Sequence, residues 1–306
     1  MAKPDSFKNR YFPIFPDQLQ IEPTNNCNLR CTICPRAVMT YAKGFMDFKL
    51  FKRITDEASA NSVGSFKLYF LGEPLLNRQL FNMAKYASQR GIRIGITTNG
   101  TLINESNVEK LLRTCNSIGI SMDGETPEEY EKIRVGSRYK TLKKGVELLL
   151  KRRTELNLST FISLATVMPD DDLAVSKVVI SLVERWAKPY GIYIFPLVKN
   201  DYGKNTPVKR NYVCPDGLRS LVVRWDGEVS YCCGDVNSEA GLGNVNEKSI
   251  QKMWLSQKMW RIRLDILNKQ YKNPVCRRCN VFYDNRVIAL PPECKRYLPT
   301  SLTSPE

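Results

Sequence analysis

Three cysteines within eight residues constrain this chain of 306 residues more than any other feature. They are Cys27, Cys31 and Cys34, spaced as CxxxCxxC, in a loop that follows the strand-like segment 19–21. In so short a loop, all three thiols can turn toward one centre. A structural zinc site normally closes with four protein ligands, so zinc would need a distant fourth cysteine. Three thiolates on a 4Fe-4S cluster would leave one iron open for chemistry, whereas three unrelated loop cysteines would need no metal.

The chain contains ten cysteines and no histidine. Without histidine, Ser-His-Asp and Cys-His catalytic groups, His-containing zinc sites and a histidine general base are excluded. The cysteine content is below that of a disulfide scaffold, so metal binding or redox chemistry is favoured. No continuous apolar segment opens the chain, and no stretch of about 18 apolar residues occurs. We therefore expect a cytoplasmic protein whose thiols stay reduced and can bind metal.

Strand-like and helix-like segments alternate over the first two thirds of the chain. The predicted strands are 19–21, 66–71, 92–96, 118–122, 159–167 and 192–197. The predicted helices are 48–58, 80–88, 102–113, 141–154 and 173–186. Such alternation favours parallel strands joined by crossover helices. Six strands are too few for a closed eight-unit barrel. We therefore predict an α/β fold, a partial (β/α)6 TIM-like barrel with its active site at the polar loops that end the strands.

The pattern changes after Lys199, which predicts a second domain. We expect an N-terminal leader at 1–17, the partial barrel at 18–199 and a small cysteine-rich auxiliary domain at 200–306. Residues 200–209 are polar, contain Gly and Pro, and are typical of a linker. Asp226-Gly227 between two apolar segments predicts a hairpin, and one helix is predicted over about 250–267. The auxiliary domain should therefore be a hairpin plus a helix.

A second set of cysteines lies in this auxiliary segment. Cys214 opens the segment, Cys232 ends the second strand of the predicted hairpin, and Cys276 and Cys279 form a closing CxxC pair that can hold one metal. Four thiolates suit zinc or a fully ligated iron–sulfur cluster equally well, and the spacing does not choose between them.

The order of these motifs resembles that of the radical S-adenosylmethionine (radical SAM) superfamily, whose signature is CxxxCxxC directly after the first strand. Phe70-Leu71-Gly72-Glu73-Pro74 resembles the family's GGEP element, with Leu71 in place of the usual first glycine. Thr97-Thr98-Asn99-Gly100 and Ser121-Met122-Asp123-Gly124 resemble its ribose-side elements, and Val167-Met168-Pro169 lies where the adenine-side strand should end. The segment 225–233 and Gly243-Asn244-Val245 resemble the single-cluster form of the SPASM/twitch auxiliary domain.

The resemblance implies two iron–sulfur clusters and a set of contacts to SAM. The ligands of the SAM-binding 4Fe-4S cluster would be Cys27, Cys31 and Cys34, and those of the auxiliary 4Fe-4S cluster Cys214, Cys232, Cys276 and Cys279. Glu73 would accept hydrogen bonds from the SAM ammonium, and Arg134 would bind the methionine carboxylate. The remaining contacts would be Asn99 and Ser121 to ribose, and Ile33 and Val167 to adenine. Ile33 stands where the family commonly has an aromatic residue.

The implied reaction is reductive cleavage of SAM to methionine and a 5′-deoxyadenosyl radical, which takes a hydrogen atom from a substrate carbon. The single-cluster form favours oxidation of a carbohydrate or aminocyclitol-type alcohol, with the auxiliary cluster as electron acceptor. One alternative is a radical epimerase or peptide-modifying (RiPP maturase) enzyme in which Cys294 or Cys233 donates hydrogen. A different class is a non-catalytic iron–sulfur or zinc metalloprotein.

The charge balance bears on partners. Lys and Arg number 46 against 31 Asp and Glu, a net charge of +15 that attracts anions. The basic residues are spread along the chain and form no arginine-rich tail or aromatic-interleaved patch, so a nucleic-acid partner is not expected. We expect a small-molecule or peptide substrate, including an anionic one, a flavodoxin- or ferredoxin-type reductant, and no membrane partner.

Overall fold

The computed structural model describes residues 13–124, 126–167, 172–197, 213–279, 294 and 296–298. The strands are β1 (Gln18–Ile21), β2 (Ser65–Leu68), β3 (Arg93–Thr98), β4 (Ser117–Ser121), β5 (Phe161–Val167), β6 (Tyr193–Leu197), β7 (Ser220–Val223), β8 (Glu228–Ser230) and β9 (Gly243–Asn244). The predicted linker 200–209, most of the leader, Met168, Pro169 and residues 291–293 lie outside the described residues.

The helices follow the strands in the predicted order. They are α1 (Phe48–Ala60), α2 (Leu80–Ser88), α3 (Val108–Thr114), α4 (Pro127–Ile133), α5 (Tyr139–Glu155), α6 (Asp172–Leu182), α7 (Lys188–Tyr190), α8 (Asp216–Arg219), α9 (Ile250–Trp254), α10 (Gln257–Leu267) and α11 (Pro274–Arg278). Short 3-10 helices occur at Pro35–Val38 and Pro74–Leu76, and a π-helical turn occurs at Val183–Ala187. Over the described part of the chain, no helix is long and apolar enough to span a membrane.

The chain forms two compact units, and the division falls inside β3. The first unit takes its described residues from 1–26, 35–94 and 201–279, and the second from 27–34, 95–200 and 280–306. The first unit therefore holds most of the auxiliary segment, and the second holds the CxxxCxxC loop. The predicted domain boundaries at 17 and 199 stay predictions.

The first unit is built on strands in the order β2-β1-β7-β8-β9. β1 pairs in parallel with β2 and with β7, so Leu19 lies beside Phe66 on one side and Leu221 on the other. All three side chains are fully buried. β8 pairs antiparallel with β7 across the turn at Gly227, whose φ of 90° suits glycine. The hairpin predicted at Asp226-Gly227 is therefore confirmed.

The second unit places β3, β4, β5 and β6 side by side in chain order, and the three pairings β3–β4, β4–β5 and β5–β6 are parallel. Ile118, Ile162 and Ile194 all point to one face and are buried to 1% exposure or less. The predicted α/β class with parallel strands is confirmed. Helix α4 was not predicted. It begins with a capping box in which Thr126 Oγ1 accepts from Glu129 N and Thr126 N donates to the Glu129 carboxylate.

The prediction of a single helix over 250–267 was wrong. The chain forms α9 and α10 instead, because Ser256 has extended backbone angles and its hydroxyl accepts a hydrogen bond from Met259 N at 3.2 Å. A serine that caps the next helix in this way ends the previous one. Helix α3 also starts later than predicted, because Asn104 Oδ1 accepts from Ser106 N at 2.9 Å and holds a turn there.

Candidate functional site

The CxxxCxxC loop is fixed by backbone hydrogen bonds within the second unit. Arg30 N donates to Val135 O and Thr32 N donates to Ile133 O, both at 2.9 Å. The three cysteine side chains that alternate with these anchors are half-buried. The loop predicted to gather three thiols is therefore held in place by the last residue of α4 and the segment that follows it.

Arg134 extends from that same segment toward the cysteines. Its Nη1 donates to Cys31 Sγ at 3.7 Å and its Nε forms an ion pair with Asp123. Burial alone would lower the pKa of Arg134, but Asp123 and Cys31 raise it above its ordinary value. Burial raises the pKa of the Cys31 thiol, and the charge of Arg134 opposes that rise. A fixed cation beside Cys31 suits a site that carries several thiolates.

Asp123 is a site residue that the sequence analysis did not single out. Its side chain is fully buried, and one carboxylate oxygen binds Arg134 while the other accepts from Val167 N at 2.6 Å. It thereby joins two residues that were both predicted to contact SAM. In the sequence, Asp123 is a carboxylate two residues after Ser121, at the end of a strand. The same pattern is typical of an ordinary Asp-Gly turn, so it does not by itself indicate a site residue.

Asn99 is tied to the cysteine loop. Its Nδ2 donates to Asn28 Oδ1 at 2.9 Å and lies 3.8 Å from Cys27 Sγ, and its Oδ1 accepts from Thr101 Oγ1 at 2.7 Å. The side chain is 6% exposed. In this structure Asn99 therefore positions the loop around Cys27, and its predicted contact to ribose stays a prediction.

The remaining predicted SAM contacts of the second unit lie at strand ends or in the loop. Ser121 ends β4, Val167 ends β5, and both are half-buried, as is Ile33 in the cysteine loop. The carboxyl ends of parallel strands form the edge at which ligands bind in α/β folds. Ser121 and Val167 therefore lie at the edge where a nucleoside is expected.

Glu73 belongs to the first unit, where the backbone leaves it little freedom. Its N donates to Asn26 O at 2.8 Å, and its Oε1 accepts from Leu75 N at 3.1 Å at the start of a 3-10 helix. At the preceding Gly72, a Cβ atom would lie 2.1 Å from Thr24 O. Only glycine permits so close an approach, and the carboxyl group of Glu73 is held at 1% exposure.

The auxiliary cysteines also lie in the first unit. Cys276 Sγ is 3.1 Å from Tyr231 Oη, and Cys279 N donates to Cys276 O at 3.2 Å. Burial raises the pKa of Cys214 to about 11 and that of Cys232 well above its ordinary value, and nearby Cys276 and Cys279 add to both shifts. Thiols that raise one another's pKa in this way are close together. A metal centre bound by them would offset the repulsion between their thiolates.

The two candidate hydrogen donors have different surroundings. Burial first, and then the nearby Asp216 and Cys279, raise the pKa of Cys233 to about 12, while Lys67 opposes the shift. Cys233 is therefore a neighbour of the auxiliary thiols. Cys294 belongs to the second unit and has 0% exposure. A role for either in catalysis stays a prediction.

The donor set fits two iron–sulfur clusters. It consists of thiols, which are the usual ligands of such clusters. The guanidinium of Arg134 lies beside Cys31, and the hydroxyl of Tyr231 lies beside Cys276. Among the described residues, no three thiols or carboxylates are grouped as the ligands of a single metal ion would be. The ligands of a 4Fe-4S cluster lie farther apart, because each binds a different iron.

A second group in the first unit was missed entirely by the sequence analysis. Glu22 follows β1, is fully buried and accepts hydrogen bonds from Tyr41 Oη and from Trp225 N. The guanidinium of Arg224 lies 3.4 Å from the centre of the Tyr41 ring. No motif marks these residues, because they are distant in sequence and each has an ordinary neighbourhood.

Two family models match the chain. The radical SAM superfamily model matches residues 21–175, and an iron–sulfur cluster-binding domain model, SPASM, matches residues 214–280. Among relatives, the chain is 25% identical to the tungsten-containing aldehyde ferredoxin oxidoreductase cofactor-modifying protein of Pyrococcus furiosus, over 86% of this chain and 87% of that protein.

Solved structures of similar fold include two with bound molecules named. BtrN in complex with AdoMet and 2-DOIA has a TM-score of 0.62 at 20% identity, covering 87% of this chain and 93% of BtrN. Streptococcus suis SuiB bound to the precursor peptide SuiA has a TM-score of 0.66 at 17% identity, covering 90% of this chain and 72% of SuiB. At these identities the likeness shows a shared fold.

Proposed function

Because the chain belongs to the radical SAM superfamily and carries a SPASM domain, we propose that it oxidises an alcohol carbon of a carbohydrate or aminocyclitol-type substrate. Its cofactors are SAM and two 4Fe-4S clusters. When bound, these groups supply the electron that cleaves SAM to methionine and a 5′-deoxyadenosyl radical, and an acceptor for the electron left on the substrate. The alcohol would give its C–H hydrogen atom to the 5′-deoxyadenosyl radical, which becomes 5′-deoxyadenosine, its hydroxyl proton to solvent and the remaining electron to that acceptor, and would become a ketone.

The observation that carries this proposal is the thiol content of the auxiliary segment. Five cysteines lie between residues 213 and 279, and one 4Fe-4S cluster uses four of them. A single auxiliary cluster can accept the one electron that alcohol oxidation leaves behind.

The residues of the chain would hold the SAM-binding cluster and orient SAM. Cys27, Cys31 and Cys34 would hold the SAM-binding cluster in the loop anchored after α4, while Asp123 keeps Arg134 turned toward Cys31. Glu73, fixed by the close packing of Gly72, would accept the SAM ammonium. Ser121 and Val167 would contact the nucleoside from their strand ends.

The test is anaerobic turnover with a deuterated substrate. Reconstituted protein should hold about eight irons, the content of two 4Fe-4S clusters, and should cleave SAM when reduced with dithionite. With 2-deoxystreptamine deuterated at its carbinol carbons, we expect a ketone and 5′-deoxyadenosine in equal amounts, with deuterium in the latter. Deuterium transfer without a ketone would reject oxidation as the outcome.

A second candidate function is modification of a peptide, with a cysteine returning the hydrogen atom. SuiB, solved with its precursor peptide, covers 90% of this chain and supports this alternative. Cys233 and Cys294 are the thiols available for it. Replacement of Cys233 or Cys294 by alanine separates the two functions. A dehydrogenase should still form ketone, whereas an epimerase would make 5′-deoxyadenosine but lose its product.

The reductant is proposed to be a flavodoxin- or ferredoxin-type protein with an acidic docking face. The net charge of +15 supports this, because opposite charges accelerate protein encounter at low ionic strength. We expect the rate of SAM cleavage with reduced flavodoxin to fall as salt rises, while the rate with dithionite changes far less. Equal salt dependence with both reductants would count against a charged docking face.

A further inference from the structure

We infer that Asn237 is a positioning residue for the SAM-binding cluster, and that it makes the affinity for SAM depend on the auxiliary cluster. It would act through residues 35–45, which we call the post-cysteine segment because they follow Cys34 directly in the chain. The inference rests on the proposed ligands Cys34 and Cys232, and it does not require that the substrate be an alcohol.

The post-cysteine segment has no buried residue of its own. Every residue from Pro35 to Phe45 is at least partly exposed, and Val38 and Phe45 are 47% and 51% exposed. Its regular structure consists of the 3-10 helix Pro35–Val38 and a single bridge that pairs Phe45 with Thr24. A segment with few buried apolar contacts has low local stability. Its position therefore depends on the hydrogen bonds that other parts of the chain make to it.

Asn237 makes two of these hydrogen bonds, close to Cys34. Its Oδ1 accepts from Thr40 N and its Nδ2 donates to Val38 O, both at 2.9 Å. A carboxamide has both an acceptor and donors, so one side chain can bind a backbone N–H and a backbone carbonyl together. Two bonds of opposite polarity fix the orientation of the segment as well as its place.

Two further residues of the auxiliary segment contact the post-cysteine segment beyond Thr40. Trp225 Nε1 donates to Ala42 O at 3.1 Å, and its indole lies over Gly44, where an added Cβ atom would be 2.4 Å from the ring. The guanidinium of Arg224 lies 3.4 Å from the centre of the Tyr41 ring. All of these residues belong to the first unit.

Asn237 is also linked to the proposed auxiliary ligand Cys232, which lies five residues before it. Asp235 N donates to Cys232 O, and Ser238 N donates to Asp235 O, both at 3.2 Å. The carboxylate of Asp235 is buried and accepts from Glu239 N at 2.8 Å. These consecutive turns leave the backbone between Cys232 and Asn237 little independent freedom. A cluster that holds Cys232 would therefore also hold Asn237 in place.

The far end of the post-cysteine segment has a separate anchor. Asn25 Nδ2 donates to Ala42 O at 2.7 Å, and Asn25 Oδ1 accepts from Gly44 N at 2.8 Å. These bonds do not involve the auxiliary segment, so they would persist without its cluster. Loss of the Asn237 bonds should therefore displace the part of the segment next to Cys34 and leave the fold intact.

The first experiment measures the Kd for SAM by anaerobic calorimetry on reconstituted protein. In Asn237→Ala we expect a rise of about tenfold, the effect of losing neutral hydrogen bonds that couple two sites, with about eight irons retained. Asn237→Asp still accepts from Thr40 N but cannot donate to Val38 O, so its Kd should rise less. Asn82→Ala is the matched control, because Asn82 is exposed in the same unit and donates to Gln79 at the start of its own helix. Its Kd should equal that of the wild type.

A double variant tests whether Asn237 carries the coupling. Cys232→Ala removes a proposed auxiliary ligand, and we expect its Kd for SAM to rise by about the same factor as in Asn237→Ala. If both changes act through the post-cysteine segment, the double variant should bind SAM no more weakly than the weaker single variant. Independent effects would multiply to about 100-fold.

Hydrogen–deuterium exchange provides a readout that needs neither SAM nor turnover. Peptides that cover residues 35–40 should exchange faster in Asn237→Ala and in Cys232→Ala than in the wild type, because the amide of Thr40 loses its acceptor. The same peptides should exchange at the wild-type rate in Asn82→Ala.

The inference is overturned if Asn237→Ala binds SAM as the wild type does, if its peptides exchange at the wild-type rate, or if the two single effects multiply in the double variant. An iron content of about four in Asn237→Ala would also overturn it, since the change would then act on the auxiliary cluster itself. Should Cys232→Ala not fold, Asn237→Ala and Asn237→Asp decide the matter. Failure of the proposed function looks different. In that case all of these effects are seen, and no ketone forms during turnover.

Discussion

The phenol of Tyr41 donates its hydrogen to the carboxylate of Glu22, with Oη 3.0 and 3.2 Å from the two carboxylate oxygens. Glu22 follows the first strand, and Tyr41 lies in the segment after the third cysteine of the CxxxCxxC loop. Trp225 of the auxiliary segment also donates its backbone N–H to this carboxylate, at 3.3 Å. One buried acid therefore joins three parts of the first unit that are far apart in sequence.

Glu22 should make stability depend on pH. Burial raises its pKa from 4.5 to about 7, against the opposing hydrogen bonds from Tyr41 and Trp225. Because the folded-state pKa is raised, the stabilisation is complete below pH 4.5 and is lost as the pH rises through 7. Over that range the free energy of unfolding should fall by roughly 3 kcal/mol through this group. In Glu22→Gln this fall should be absent from thermal midpoints measured between pH 4.5 and 8.

The neighbouring tyrosine provides a test of the cause. Tyr41→Phe removes a donor that favours the carboxylate, so the pH range of the stability loss should move upward. Tyr86→Phe is the matched control, since Tyr86 also donates to a carboxylate, that of the exposed Asp56. Its pH profile should match the wild type. Identical pH profiles for wild type and Glu22→Gln would show that Glu22 does not titrate in this range.

Gly72→Ala should weaken SAM binding. The added Cβ would sit 2.1 Å from Thr24 O, so the backbone carrying Glu73 must shift. Overpacking of this kind costs about 1–3 kcal/mol, and we expect at least a tenfold rise in the Kd for SAM. Gly64→Ala is the matched control, because nothing lies within 4 Å of its Cβ position. Equal SAM affinity in the two variants would argue against a constrained Glu73.

Asp123→Asn should destabilise the second unit and weaken SAM binding. Asparagine can still accept from Val167 N but no longer offsets the charge of Arg134, which is 14% exposed. Breaking a buried ion pair costs about 3–5 kcal/mol, which should appear in the thermal midpoint. Asp17→Asn breaks the exposed pair with Arg219 and should cost at most about 1 kcal/mol. A midpoint loss for Asp123→Asn no larger than for Asp17→Asn would refute the role given to Asp123.

Adjacent cysteines should differ in iron binding. Cys232→Ala should reduce the iron content from about eight to about four per chain, because a 4Fe-4S cluster normally requires four thiolates. Cys233→Ala should retain about eight, since it removes a neighbour of the auxiliary thiols and not a proposed ligand. Iron analysis and electron paramagnetic resonance of the reduced proteins measure the difference. If Cys233→Ala lost the paramagnetic resonance signal of the auxiliary cluster and Cys232→Ala kept it, then Cys233 would be the cluster ligand and Cys232 would not.

The six barrel strands, the hairpin and the longer helices could be predicted from the chain, because burial on one face imposes a period that local sequence reveals, whereas β9 and the short helices α4, α7, α8 and α11 could not. The helical spacing of apolar residues continues through 250–267, so it gave no sign that the helix breaks at Ser256. A capping hydroxyl ends a helix without altering the apolar pattern, so the pattern alone could not show α9 and α10 as separate helices.

The sequence by itself determined which cysteines can share a centre, because ligands in one short loop need no tertiary information to meet, and the order of its motifs gave the resemblance that implies iron–sulfur clusters and SAM. Tertiary structure alone decided what surrounds them. Asp123 reached Arg134, and Tyr41 reached Glu22, only through folding. Leu19 likewise lies beside Phe66 and Leu221 only through the register of neighbouring strands. Such contacts join residues that no local pattern connects.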